Sequence, residues 1–191
     1  MDLDLSLAPD DASRCLRLPL LAGTTRGGAQ AQRVVWHDSA DAALTAAGLA
    51  LAAERGVWRL EKLVPEPSDV WPPGAPPPVV AQAAEVTALG HDLPDAMAPV
   101  VAFAGRRRSL ALTTEHGAVA VTLLRGTLRA VTTDQAVARV QLSGEEPAVL
   151  QVALALAGEL RLGMPPATLA GEALAVARAV APPPRRAGAT E

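Results

Sequence analysis

The chain has no tyrosine, one phenylalanine and three tryptophans in 191 residues, so aromatics make up 2% of it. That leaves few platforms for base stacking and argues against single-strand nucleic-acid binding. A single cysteine, Cys15, excludes an internal disulfide and any thiolate metal cluster. A reducing, cytoplasmic setting is the expectation that follows. Positive charge is not in excess: 17 Lys and Arg face 20 Asp and Glu, for a net −3. No overall basic field draws in a polyanion. Long apolar runs are missing too, with none near the roughly 18–20 residues of a membrane span. The opening MDLDLSL is acidic where a signal peptide would be basic. His37, His91 and His116 lie far apart without ligand spacing and read as surface or structural residues.

What is present is aliphatic. Half the chain is hydrophobic, and Ala, Val and Leu must build the core. The length suits one domain, placed at residues 1–181, with a polar tail at 182–191. Leu3, Leu5 and Leu7 alternate with Asp2, Asp4 and Ser6, the period of a half-buried strand. Asp10 or Asp11 can cap a short helix that Pro19 ends. AQAQRVVWHD reads as a second strand. Ser39 reads as the cap of a helix over Ala40–Ala47, not as a nucleophile, since no His–Asp set accompanies it. Gly48 stops that helix. LALAAE and VWRLEKLV make strands around a turn at Arg55–Gly56, with Trp58 as core.

Prolines dominate residues 65–78, which read as a long surface loop carrying Trp71. VVAQAAEVTAL is strand or helix; periodicity does not decide. LPDAMAPVVAFAG reads as a short helix leading into a strand. RRRSLALTTEHGAVAVTLLRGTLRAV is a meander with turns at His116–Gly117 and Arg125–Gly126, and AVARVQLSG is a further strand. Glu146–Pro147 opens a helix with Val149, Leu150, Val152, Leu154 and Leu156 on a broad apolar face. TLAGEALAVARAVA forms a last helix, stopped by Pro182–Pro184.

The order of these words resembles the CYTH family, the triphosphate tunnel metalloenzymes, which include bacterial adenylate cyclases, thiamine triphosphatase and inorganic triphosphatases. WHDSADAALTAAGLALAAERGVWRLEKL is similar to the family block Y-[YF]-D-T-P-D…L…aGlaLRlR…gWrLTLK. LLRGTLRA stands where the family has lDrG, ARVQLSGEEPAVLQVALALAGEL where it has an acidic strand running into a helix, and PATLAGEAL where it has SKaerG. The resemblance implies an α+β fold: an eight-stranded antiparallel β-barrel open as a tunnel, with helices packed outside.

It also implies a chemistry that this chain has mostly discarded. A triphosphate needs several Lys and Arg, and carboxylates to hold Mg²⁺ or Mn²⁺. The opening E-x-E-x-K becomes Asp2, Asp4 and Ser6. The paired arginines of LRlR become Ala52 and Glu54, and WrLTLK places Glu61 and Leu63 at its Thr and Lys positions, with Lys62 pointing outward. The lDrG aspartate is Leu124, the late acidic pair is Arg139 and Gln141, and the Ser-Lys pair is Pro166 and Ala167. Parity turns Arg107 inward, with Arg106 and Arg108 outward beside Leu110 and Leu112. Arg59 shares parity with Glu61.

Seven inward charges are therefore expected. Arg59, Arg107 and Arg139 are the candidate polyanion-binding residues, Asp2 and Asp4 the candidate metal ligands, and Glu54 and Glu61 face the same tunnel. Asp2 and Asp4 read either as a residual divalent site or as a solvated strand face. The RRR at 106–108 reads as phosphate binding or as a solvated edge. The expectation for function is a catalytically degenerate CYTH-like domain acting as a binding or interaction module. Partners implied by family are a phosphate-rich small molecule or polyphosphate, or a helical CHAD-type domain or protein; neither membrane nor nucleic acid is expected. The alternative is a divergent metal-dependent triphosphatase built on Asp2, Asp4, Arg59 and Arg107, with Mg²⁺ or Mn²⁺ as cofactor only in that case.

Overall fold

A computed structural model describes residues 1–22, 24–64 and 96–180. Strand β1 (Asp2–Leu7) buries Leu3, Leu5 and Leu7 and turns Asp2, Asp4 and Ser6 to the other side, as the alternation predicts. A 3₁₀ turn (Pro9–Asp11) leads into α1 (Ala12–Cys15) and α2 (Pro19–Ala22). Pro19 begins a helical turn instead of ending one, because its fixed φ and missing N–H suit a first helical position. Then come β2 (Thr25–Arg26), β3 (Gln30–Ser39), α3 (Ala43–Ala46), β4 (Leu49–Glu54) and β5 (Val57–Lys62). After residue 95 the order is β6 (Met97–Thr114), β7 (Gly117–Arg129), β8 (Asp134–Gly144), α4 (Glu146–Glu159), β9 (Leu162–Gly163) and α5 (Leu169–Val180).

The nine strands form one sheet in the order β5-β4-β3-β6-β7-β8-β1-β9, with β2 pairing β6 and every pairing antiparallel. Among the described residues no ladder joins β5 to β1 or β9, so hydrogen bonds do not close the expected eight-stranded barrel. The gap is spanned instead by the approach to α5. Thr168 N–H donates to Leu63 O at 3.1 Å, Thr168 Oγ1 donates to Lys62 O at 2.7 Å, and Arg139 of β8 donates to Ala167 O at 3.2 Å.

Register divides the sheet into two buried faces. On one, α4 covers Leu3, Leu5, Leu7, Val119, Val121, Leu123, Val140 and Leu142, and Cys15 and Leu21 complete that core. On the other, α5 lays Ala170, Ala173, Leu174 and Val176 over Val34, Trp36, Ala52, Phe103, Leu124, Leu128 and Val137. A small third core puts Leu44 of α3 over Leu51 and Leu60. Long strands thus switch the parity of their buried residues along their length: Val119, Val121 and Leu123 serve α4, whereas Leu124 and Leu128 serve α5.

Several local expectations change. The Arg125–Gly126 turn is absent, and β7 runs straight through it. Gly126 pairs directly with Gly105, and a Cβ on either would run into the partner strand's backbone and the Phe103 ring. The glycines answer a close approach, not a turn. The turn expected at His116–Gly117 falls one residue earlier, at Glu115–His116, while the one at Arg55–Gly56, with φ of 50° and 80°, is where the sequence puts it. The helix expected from Ala40 starts only at Ala43. Residues from Met97 onward are strand, not helix. On α4, Leu150 and Leu154 face solvent, while Ala148, Val149, Val152 and Leu156 are buried. Trp58 is 45% exposed and leans on His37, while Trp36 is the buried indole. The proline loop, VVAQAAEVTAL, Trp71, His91 and the tail from 182 lie outside the described residues.

Candidate functional site

All seven candidate charges belong by register to the α5 face. Gln30, Arg107, Leu124, Arg139 and Ser6 form one row across β3, β6, β7, β8 and β1. Ser109, Thr122, Gln141 and Asp4 form the next row, and Asp2 stands opposite Ser143. Trp36, Ala52 and Arg59 make a row on the far strands, flanked by Ala50–Glu61 and Glu54–Val57. Strand alternation alone brings these residues to one face. Arg106 and Arg108 lie on the opposite face, as parity predicts.

They do not converge on one site. The apolar side of α5 separates them into two groups. In the first, Arg59 Nε donates to Glu61 Oε1 at 2.5 Å, and its Nη1 donates to Glu54 Oε2 at 3.0 Å. Trp36 Nε1 donates to the remaining oxygen of Glu61 at 2.8 Å. Burial pulls the Arg59 pKa down, but the bonds and charges of Glu61 and Glu54 outweigh it, and the net shift is upward. The Arg59 guanidinium is thus held by carboxylates of its own sheet.

Arg139 centres the second group and is 1% exposed. Its Nη1 donates to Asp4 Oδ2 at 2.8 Å, and its Nη2 donates to Glu172 Oε2 of α5 at 2.6 Å and to Ala167 O. Gln135 Nε2 donates to the other oxygen of Glu172 at 2.9 Å. Two buried atoms stay without a partner, Asp4 Oδ1 and Arg139 Nε. Burial raises the Asp4 pKa above 3.8; the charge and bond of Arg139 pull it back, and Glu172 raises it again. Sequence reasoning placed Arg139 and Asp4 but missed Glu172, because nothing in a helix pattern says which strand the helix will cross.

Asp2 and Arg107 are exposed. Among the described residues no group of three His, Cys, Asp or Glu is placed to hold a metal ion. Nor does the donor set suit Mg²⁺ or Mn²⁺. Asp4 has one free oxygen, and the Arg139 guanidinium on the other repels a second cation. The described residues do not fit the metal that the family resemblance implies.

The Asp38 role also escaped the sequence reading. It is 3% exposed, Oδ1 accepts from Ser39 N–H and Leu44 N–H, and Oδ2 accepts from Thr45 N–H and Thr45 Oγ1. Ser39 Oγ accepts from Ala43 N–H at 2.9 Å, so capping is shared between Asp38 and Ser39.

Among solved structures, the chain matches a protein from Hippeastrum described as an adenylyl cyclase with a dominant triphosphatase activity. The TM-score is 0.53 at 13% identity, covering 93% of this chain and 94% of that one. This chain has the triphosphate-tunnel fold. At that identity the likeness speaks for fold and not for activity. A Bacillus halodurans protein described as an adenylate cyclase aligns at 10% identity over 81% of this chain and 87% of that one, with a TM-score of 0.39, too low to carry an argument. No family model and no curated protein sequence matches the chain. Within the tunnel fold, the face that register assigns to the seven charges is the one α5 fills. No helix among the described residues is long and apolar enough to cross a membrane.

Proposed function

We propose that this chain is a tunnel-fold domain without triphosphatase chemistry, serving as a binding or interaction module. The observation that carries the reading is the pairing of two of the three candidate cations, Arg59 with Glu54 and Glu61 and Arg139 with Asp4 and Glu172, which leaves Arg107 alone exposed among them. A triphosphate drawing on Arg59 or Arg139 would have to break these pairs and leave four carboxylates facing its own charge. Each unpaired buried charge is worth several kcal/mol. Polyphosphate, a phosphate-rich small molecule and a CHAD-type helical domain are the partners that the family resemblance suggests.

The competing reading is a divergent triphosphatase, favoured by the triphosphatase activity ascribed to the Hippeastrum protein. Incubation with tripolyphosphate and Mg²⁺ or Mn²⁺ separates the two. The expected outcome is no phosphate release above the protein-free control. Thermal shift reports binding separately from turnover, since a ligand at one hundred times its Kd would add about 2.7 kcal/mol, or roughly 5–11 °C in Tm for a domain of this size. Turnover that disappears in Asp4→Ala would establish the triphosphatase instead.

A further inference from the structure

The opposite face of the sheet carries an arginine cluster that the tunnel reading does not use. Where the α4-side core ends at Leu123 and Ala138, the next cross-strand row is Ala31–Arg106–Arg125–Ala138, followed by Arg33–Ala104–Thr127–Ala136. Arg106 and Arg125 stand directly opposite each other on adjacent strands, a like-charge apposition that destabilises a sheet. Both are exposed, as is Arg33. Among the described residues no carboxylate bonds to any of the three. Beside them the surface is hollow. A groove of about 530 Å³ is lined by Arg125, Gly126, Thr127 and Ala136 on the sheet and by Pro9, Asp10 and Ser13 on the other wall. Ala136, with only a methyl, keeps that part of the groove wall low. Arg125 is already aimed, with Nη1 donating to Ser13 Oγ at 2.7 Å across the groove.

We propose that this groove binds a phosphate-bearing anion, with Arg106 and Arg125 as the cationic clamp and the Ser13 and Thr127 hydroxyls as further donors. Arg125 and Asp10 line the groove, and Arg106 directly across from Arg125, with Arg33 one row on, tips the local balance to positive on a chain whose total charge is −3. Arginine forks match phosphate oxygens bidentately, and an anion between Arg106 and Arg125 turns their repulsion into shared attraction. The α5 face differs, since Arg59 and Arg139 there are each already paired with two carboxylates. The groove lies on the other side of the sheet and requires no catalysis, so it stands whichever way the proposed function is decided.

Isotope-labelled full-length chain titrated with millimolar pyrophosphate, against sodium chloride of equal ionic strength, provides the test. Amide shifts are expected at Ser13, Gly126 and Thr127. Arg106→Ala should weaken binding about tenfold while leaving the Arg125–Ser13 bond in place. Without ligand, the same variant should melt no lower than the parent, because it removes a repulsion. Three results would each overturn the proposal: no shifts beyond the salt control, shifts confined to α5-face residues such as Arg107 and Gln141, or unchanged affinity in Arg106→Ala.

Discussion

Arg139 shows how one side chain can organise a face. Two carboxylates, from β1 and α5, close on its guanidinium. Removing it leaves Asp4 and Glu172 partly buried without their counter-charge, so Arg139→Ala should lower stability by about 3–5 kcal/mol, read as a fall in the urea midpoint at unchanged slope. Asp4 has its own signature. Its native pKa lies above 3.8, so the folded state takes up the proton more readily than the unfolded chain. This carboxyl therefore makes stability fall as pH rises from 3.8 through the native value. The stability of the parent minus that of Asp4→Asn should decrease as pH rises through this window; an increase would contradict the shift. Cys15 is fully buried, and burial pushes its thiol up to about 11. It should resist thiol reagents in the native state and react at once when the chain is unfolded.

Among the elements, α5 does most to decide the character of the fold. Its first turn is tied to β5 through Thr168, whose Oγ1 accepts from Gly171 N–H at 3.1 Å while donating to Lys62 O. Thr168→Ala should cost about 1 kcal/mol as a lost cap, and Leu174→Ala about 2–5 kcal/mol as a cavity in the core beneath the helix. Both are measurable by denaturant unfolding. The β6–β7 pair depends on glycine at a crossing where no turn is made. Gly126→Ala should cost about 1–3 kcal/mol through overpacking against β6 and Phe103. An Ala substitution there that left stability unchanged would refute the close-approach account. The sequence suggested a turn because Arg-Gly between apolar runs carries the same local signal as a hairpin; only the Gly105 partner, some twenty positions earlier, distinguishes the two.

Over the whole molecule, the sheet has two working faces with different electrostatics. On one, covered by α5, Arg59 and Arg139 are each paired with two carboxylates; the other ends in exposed arginines. Local pattern was enough to determine the strand alternation in β1, the β4–β5 hairpin, α4 and α5, since parity is a property of each strand taken alone. The proline-rich residues 65–78 lie outside the described residues and test none of this. Tertiary structure decided the rest. It set which carboxylate meets which arginine, because an ion pair such as Arg139–Glu172 joins residues 33 apart on elements whose docking no local period encodes. It decided that Trp36, not Trp58, goes inside, because burial depends on what packs above a strand as well as on its parity. Among the described residues it left β5 and β1 without a ladder, because strand closure requires a register between them that neither strand specifies by itself.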